Sequence, residues 1–459
     1  MDQAVQKKIF NQKILHLLIP IVLQNLLSAA VSSADVVMLN YVSQSAIAAV
    51  SLATQYSSIL FMVYYGLGTG ATMLCAQYYG KGDIRAIQLV EGIAMRFSMA
   101  FSLVFAICSI AIPKYMMMIF TKDAELIGLG AEYLRIISVS YICWAVIEVY
   151  LSVLRSVGKV MISTVLNAIA LGLNMALNAV FIFGLFGAPK MGVAGVALAT
   201  SISRLVELAL CLVVSAREKD IKLQPSLMFQ KSGLLFQDFM RLSLPALGND
   251  IAWGLGFSMY SVIMGHMGSD VVAANSLVVV VRNFGTVFCY GLASAGGILL
   301  GNVIGENKLE QAKEDAKRLV RLTIISGAAG GLLVLIATPF VLQYASLSEK
   351  AMEYLKYMLY INVYYIMGAA VNTTLIAGVF RAGGDSRFGF VCDVIDMWCY
   401  AVPLGLLAAF VFKLPVMWVY FLLCTDEFVK WPWVIKHYRS YKWLKNITRE
   451  NIGLTSESS

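Results

Sequence analysis

The chain runs to 459 residues, of which 59% are hydrophobic and 14% charged, with a formal net charge of +8 and a mean hydropathy of +0.76. Such a balance excludes an ordinary soluble domain. The 35 Lys and Arg against 27 Asp and Glu form no compact basic domain on which DNA or RNA could dock, so no nucleic-acid partner is expected.

The apolar runs are each near or above the roughly 20 residues that a membrane-spanning helix needs, and the alternation of a barrel strand is missing. The expected fold class is an all-α polytopic membrane protein. Twelve spans follow in order, at 14–39, 46–78, 87–112, 125–153, 160–186, 191–216, 242–267, 270–303, 316–345, 351–380, 388–412 and 415–437. The first apolar run is followed by no small-residue cleavage site, so no removable signal peptide is expected. Span one carries a single carboxylate, Asp35, within PIVLQNLLSAAVSSADVVMLN. An aspartate in a membrane helix costs about 2.5 to 3.5 kcal/mol on insertion scales, so it is expected to face protein or water and to serve as an ion or proton site. The bland alternative is a hydrogen-bonded aspartate that only packs helices together. All eight cysteines fall in apolar runs without a CxxC pair and read as small core residues.

Lys and Arg are unevenly divided between the two sides. Counting from an inner N-terminus, 25 fall inside, Lys430 among them, against five outside, Lys114, Lys122, Lys190, Lys350 and Lys413. This predicts a multi-pass protein of the inner (plasma) membrane with both termini in the cytoplasm. Asn446, in an Asn-Ile-Thr acceptor pattern, then stays on the inner side and is not glycosylated.

The polar stretch from Arg217 to Arg241 divides the spans into two sets of six that repeat each other. Pro20 and Pro245 stand 225 positions apart, and the same offset carries Gly80 onto Gly305; with one residue more, Pro113 meets Pro339 and VLRSVGK meets VFRAGGD. Six spans per copy give both copies one orientation, related by a pseudo-two-fold axis along the membrane normal with a cavity between them. The domains expected are an N-lobe at 1–216, a cytoplasmic linker at 217–240, a C-lobe at 241–437 and a cytoplasmic tail at 438–459.

AQYYGKGD after span two, LNMALNAVFIFG in span five, GVAGVALATSIS opening span six and AGVFRAGGDSRF leaving span ten together resemble the multidrug and toxic compound extrusion (MATE) family, over about residues 10 to 440. The resemblance implies a twelve-helix antiporter of two six-helix lobes that exports organic cations, drugs and other amphiphiles in exchange for H⁺ or Na⁺. It needs no cofactor beyond that coupling ion; membrane lipids surround it. A lobe pair enclosing its own cavity works as a monomer. The family's N-lobe cation site is similar to Asp35 with Asn174, Asn178 and Thr200, and Asn174 and Asn178 at i, i+4 share one helical face. One branch has an aspartate where this chain has Asn178. Another coordinates Na⁺ with a glutamate in helix seven, where this chain has Trp253, and an aspartate in helix ten, where it has none.

A second site is suggested by the residues alone. Span seven carries Asn249, Asp250 and Trp253, and span eleven carries Asp393 and Asp396 at i, i+3. Three carboxylates at one depth repel, and a shared proton or bound cation relieves that; otherwise they face water or loop cations. Arg204 and Glu207, also i, i+3, are expected to pair within span six. Glu148, Arg282 and the Asp426, Glu427 pair have no partner identifiable from spacing. The 22 Met, 23 Phe and 22 Tyr suit an adaptable wall for apolar cations, although lipid-facing and core packing account for most of them.

Two rival functions stand against export. A lipid-linked saccharide flippase of the wider superfamily needs a cationic cavity for its diphosphate, and only Arg204 and Arg282 lie mid-span as arginines suited to it. A membrane enzyme needs a nucleophile, base or metal constellation, and the three scattered histidines and absent HExxH pattern supply none. Asp35→Asn is expected to abolish drug export while leaving membrane insertion intact; export at the unmodified rate from a normally inserted variant removes Asp35 from the site.

Overall fold

In a computed structural model, residues 3–39, 42–228, 230, 232–345 and 347–450 are described, with the backbone alone for Gln3, Ala4, Ser32, Ser33, Asp35, Val36, Val37, Leu39, Gln44, Pro225 and Met228. Helices dominate because a backbone in hydrocarbon must satisfy its own polar groups. They are α1 (Gln3–Leu39), α2 (Gln44–Lys81), α3 (Ile84–Ala111), α4 (Pro113–Met118), α5 (Ala124–Ser156), α6 (Val160–Phe183), α7 (Gly192–Arg217) and α8 (Pro225–Met228). The second half continues with α9 (Gly233–His266), α10 (Ser269–Gly305), α11 (Leu309–Tyr344), α12 (Glu349–Thr373), α13 (Ser386–Val394), α14 (Val402–Leu406), α15 (Val416–Leu423), α16 (Asp426–Val429) and α17 (Trp431–Arg439).

Twelve spans emerge when α13 and α14 are taken as one and α15 to α17 as another. Among the described residues, ten have the length and apolarity to cross a membrane. The other two are α9, where Asn249 and Asp250 interrupt the apolar run, and α15 to α17, which is broken into three short helices.

The repeat found in the sequence reappears in the backbone. Gly82 ends α2 with φ 83°, and 225 positions on Asn307 takes φ 61° after α10. Gly82 N donates to Tyr79 O and Asp83 N to Tyr78 O, while Asn307 N donates to Ile304 O and Lys308 N to Val303 O, the same closure in both copies. Gly158 and Gly384, with φ 82° and 75°, repeat it 226 positions apart. Thus the second glycines of GKGD and RAGGD, Gly82 and Gly384, are turn positions where a side chain with Cβ is disfavoured. Asp83 then caps α3, accepting from Ala86 N at 3.0 Å. Asp385 accepts from His437 Nε2 at 2.9 Å; burial is the largest single influence and pushes its carboxyl up, but the hydrogen bond and charge of His437 together with the charge of Lys445 hold the pKa below the usual value.

Two compact units result. One joins the chain up to Val22 with Gly248–Thr448, and the other joins Leu23–Leu247 with the described residues from Arg449 on. Each repeat's first helix is divided at the equivalent position, shortly after Pro20 or Pro245. In the first unit a Cβ on Gly291 would meet Val22 and Leu18 side chains; in the second, a Cβ on Gly66 would lie 2.8 Å from Leu247 Cα.

The second unit is centred on α2, α3 and α5, where Tyr64 OH donates to Tyr141 O at 2.9 Å and Tyr141 OH bonds Ser57 Oγ at 2.8 Å. The first is centred on α10, α11 and α12, with Val278, Leu355, Leu359, Ile366 and Tyr420 in its core. Span ten ends in a wide π-helical turn at 374–380, and span eleven contains two more, at 395–401 and 407–411. Such turns collect at functional sites because each re-aims the residues beyond it. At the first, Gly378 sits against α10: a Cβ there would lie 2.9 Å from Ala293 O and 3.3 Å from Ala293 Cα. Gly378→Ala is expected to cost about 1 to 3 kcal/mol by forcing two backbones apart, read as a melting temperature in detergent several degrees lower; an unchanged melting curve shows that the helices separate freely.

Candidate functional site

In the second unit, the pattern of asparagines on α6 produces a hydrogen-bonded chain. Asn178 Nδ2 donates to Asn174 Oδ1 at 3.3 Å, Asn174 Nδ2 donates to Thr200 Oγ1 at 3.1 Å, and Thr200 Oγ1 donates to Val196 O at 3.0 Å. Asn174 and Asn178 are buried, at 9% and 1% exposure. The chain is neutral and rich in carbonyl and hydroxyl oxygens, the donor set a hard cation or a hydronium ion prefers. Asp35 belongs to α1, but its side chain lies outside the described residues.

In the same unit are two pairs whose charges compensate. Arg204 donates to Glu207 at 2.6 Å, as the i, i+3 spacing predicts, and stacks over Trp144 at 4.9 Å. Glu148, without a partner identifiable from spacing, receives Arg155 at 3.0 Å, two helical turns away. Glu91 was not singled out from sequence, yet it is 3% exposed and its Oε1 accepts no hydrogen bond among the described residues. A lone acid inside span three was the signal for it, since such a group is kept in a membrane only for cause.

The first unit holds the four C-lobe residues named from sequence, and divides their three acids between two ion clusters. Asp250 on α9 accepts from Arg381 at 3.1 Å. Asp393 and Asp396 lie 3.2 and 3.5 Å from Lys430 Nζ, which also lies 3.2 Å from Glu427. Trp253 packs on Phe257, with ring centroids 4.3 Å apart. The relief expected for these repelling carboxylates is therefore supplied in part by the chain's own cations, Arg381 and Lys430. Lys430 is no loop cation: at 3% exposure it is buried, and it leaves the inner-side tally. The 3-residue spacing of Glu427 and Lys430 was the available signal.

Lys430 does not balance its surroundings. Asp393, Asp396, Asp426 and Glu427 are all buried, four carboxyl groups around one ammonium. Asp426 accepts from Tyr260 OH at 3.0 Å, and Glu427 accepts from Asn372 Nδ2 at 2.6 Å. Neither oxygen of Asp396 accepts a hydrogen bond among the described residues. Several unpaired negative charges in a low-dielectric interior cost far more than protonation does. Beside it, a cavity of about 310 Å³ is bounded by Trp253, Phe257, Arg282, Tyr290, Tyr365 and Glu427, among others.

Comparison with known proteins agrees with this architecture. A family model described as MatE matches residues 20–180 and 245–407, one match per repeat, each opening at its proline. The chain is 24% identical to an uncharacterized transporter of Bacillus subtilis, YisQ, over 93% of both chains. It is 21% identical to a probable multidrug resistance protein NorM of Thermotoga maritima, over 96% of this chain and 95% of that one. Among solved structures, that of a MATE transporter in its straight conformation superposes with a TM-score of 0.85 at 18% identity, covering 94% of this chain and 97% of the other. An outward-facing multidrug resistance MATE family transporter of the MOP superfamily gives 0.84 at 18%, covering 94% and 96%.

Lys430→Met is expected to cost about 3 to 5 kcal/mol, because it leaves buried carboxylates without their cation. Adding Asp393→Asn and Glu427→Gln should restore part of the loss, as measured by the yield and melting temperature of purified protein. A single variant as stable as the parent shows that the acids are neutral without Lys430.

Proposed function

The chain belongs to the MatE family, and on that premise we propose that this multi-span membrane transporter is a secondary antiporter exporting organic cations, drugs and other amphiphiles in exchange for H⁺ or Na⁺. The observation that carries the reading is the buried chain Asn178, Asn174, Thr200 on α6 and α7. Membrane interiors tolerate such a set of polar groups where it binds something. Asp35 on α1 supplies the carboxylate of this site. When the site is protonated or holds Na⁺ the carboxylate is neutralised, and when it is empty the charge calls for water or a cationic drug, so ion and drug compete for one charge. The multidrug resistance names of several relatives support a drug as cargo.

The C-lobe acids, Asp250, Asp393 and Asp396 with Glu427 and Asp426, serve as a second store of protons or cations, with Trp253 on the wall of the adjoining cavity. The lobes are 1–216 and 241–437, joined by 217–240 and followed by a tail at 438–459. The protein sits in the plasma membrane as a monomer with both termini in the cytoplasm, as its Lys and Arg distribution favours. One charge crossing with the membrane potential is worth about 2.3 kcal/mol per 100 mV, enough for roughly 50-fold accumulation of cargo outside.

One observation favours the flippase reading, namely that Arg282 lines the cavity in the first unit. Against it, a single arginine and about 310 Å³ are a poor match for a lipid-linked diphosphate with its saccharide. Ethidium transport in inverted vesicles separates the readings. An imposed pH gradient or Na⁺ gradient is expected to drive ethidium into the vesicles, and the one that does so names the coupling ion. No transport under either gradient removes drug antiport and puts flipping of a lipid-linked saccharide first.

A further inference from the structure

Arg282 on α10 differs from the other intramembrane cations described above. Arg155, Arg204, Arg381 and Lys430 each have a carboxylate within 3.5 Å. Among the described residues no carboxylate comes within ion-pair distance of Arg282. Its neighbours are rings: the guanidinium carbon lies 5.2 Å from the centroid of Phe257 and 5.4 Å from that of Tyr365. Glu427 borders the same cavity, but its carboxylate is engaged by Lys430 and Asn372, and Tyr365 OH stands beside its Oε1 at 3.5 Å.

Ring contacts hold a guanidinium by its face and leave its edge unserved. Five N–H donors point outward in the plane, and stacking against Phe257 and Tyr365 orients that plane without supplying an acceptor. A half-buried cation in the middle of a span, with donors unused, is costly unless an anion or water completes it. The space for such a partner exists, because the guanidinium borders the cavity of about 310 Å³. That volume, at the lower end of small-molecule sites, accommodates one or two fused rings. The cavity walls also carry aromatic rings, from Trp253, Phe257 and Tyr290.

We propose that this cavity is a binding site for a small aromatic carboxylate, its carboxylate bridged by the Arg282 guanidinium and its ring system packed among Trp253, Phe257 and Tyr290. A planar carboxylate matches the guanidinium fork with two parallel hydrogen bonds, which a neutral or cationic group does not. Diphosphates and larger anions are excluded by the single cation and the volume. The transported range of this protein thus extends beyond organic cations to compounds that carry an anionic head on a flat apolar body. The site stands whether or not cations are exported through the other unit.

The test uses the full chain in nanodiscs and two probes of the same shape, 2-naphthoate and the neutral 2-naphthamide, with binding measured by equilibrium dialysis. The acid is expected to bind roughly 10- to 100-fold more tightly than the amide, the range of a charge-assisted pair. Arg282→Gln should abolish that preference while keeping the weak binding of the amide, which also reports that the variant is folded. Ala369→Leu, which fills the cavity without touching the charge, should weaken both probes; it serves in its own right where Arg282→Gln does not fold. The proposal is overturned by equal binding of acid and amide, by no binding of either, by a preference that survives Arg282→Gln, or by undiminished acid binding in Ala369→Leu.

Discussion

A carboxylate withdrawn from water needs a cation, a proton or a set of donors, and the arrangement of both units follows from how that need is met. In the second unit it is met pair by pair: Glu207 by Arg204 and Glu148 by Arg155. In the first it is met collectively, with four acids about one lysine. Each of the second unit's pairs lies within one helix, α7 or α5, and its two charges compensate each other. The collective arrangement gathers more carboxyl groups than its one lysine can neutralise. Glu91 and Arg282, one in each unit, are each held within a span without a charged partner among the described residues.

The wide turns in spans ten and eleven belong to the same account. They flank the charges of the first unit: Arg381 follows the turn at 374–380, and Asp396 lies inside the turn at 395–401. A regular helix places residues at fixed angular steps, so aiming Arg381 at Asp250 on a different helix and Asp396 at Lys430 is easier where a turn is one residue wider. Glycines allow the approach, since Gly378 and Gly297 bring the span-ten turn and α10 together at backbone distance.

Some of this was legible in the sequence. The 225-residue offset read from Pro20 and Pro245 also relates Gly82 to residue 307, and the two occupy equivalent turns, although the second is an asparagine, the other residue that tolerates positive φ. The Asn174, Asn178 spacing and the Arg204, Glu207 spacing are local, and helical geometry turns them directly into contacts. Lys430 was harder to read, because in sequence it counts with the inner-side cations, and its burial follows from packing of α16 against the turn at 395–401. The partnership of Asp250 with Arg381, 131 positions apart, follows from no rule of spacing. Nor did the sequence announce the wide turns; the stretch from Thr374 to Phe380, for example, holds one glycine and no proline.

The division of α1 after Val22 and of α9 after Leu247 bears on the order in which the molecule is built. Residues 1–22 are the first to be synthesised, yet the compact unit they complete is otherwise made of residues 248–448, the last to appear. The second unit likewise needs the stretch ending at Leu247, which is the beginning of the second repeat. Neither repeat therefore contains a whole unit within its own stretch of chain. Each unit is completed by chain from the other repeat, residues 23–247 reaching into the start of span seven and residues 1–22 joining residues 248–448.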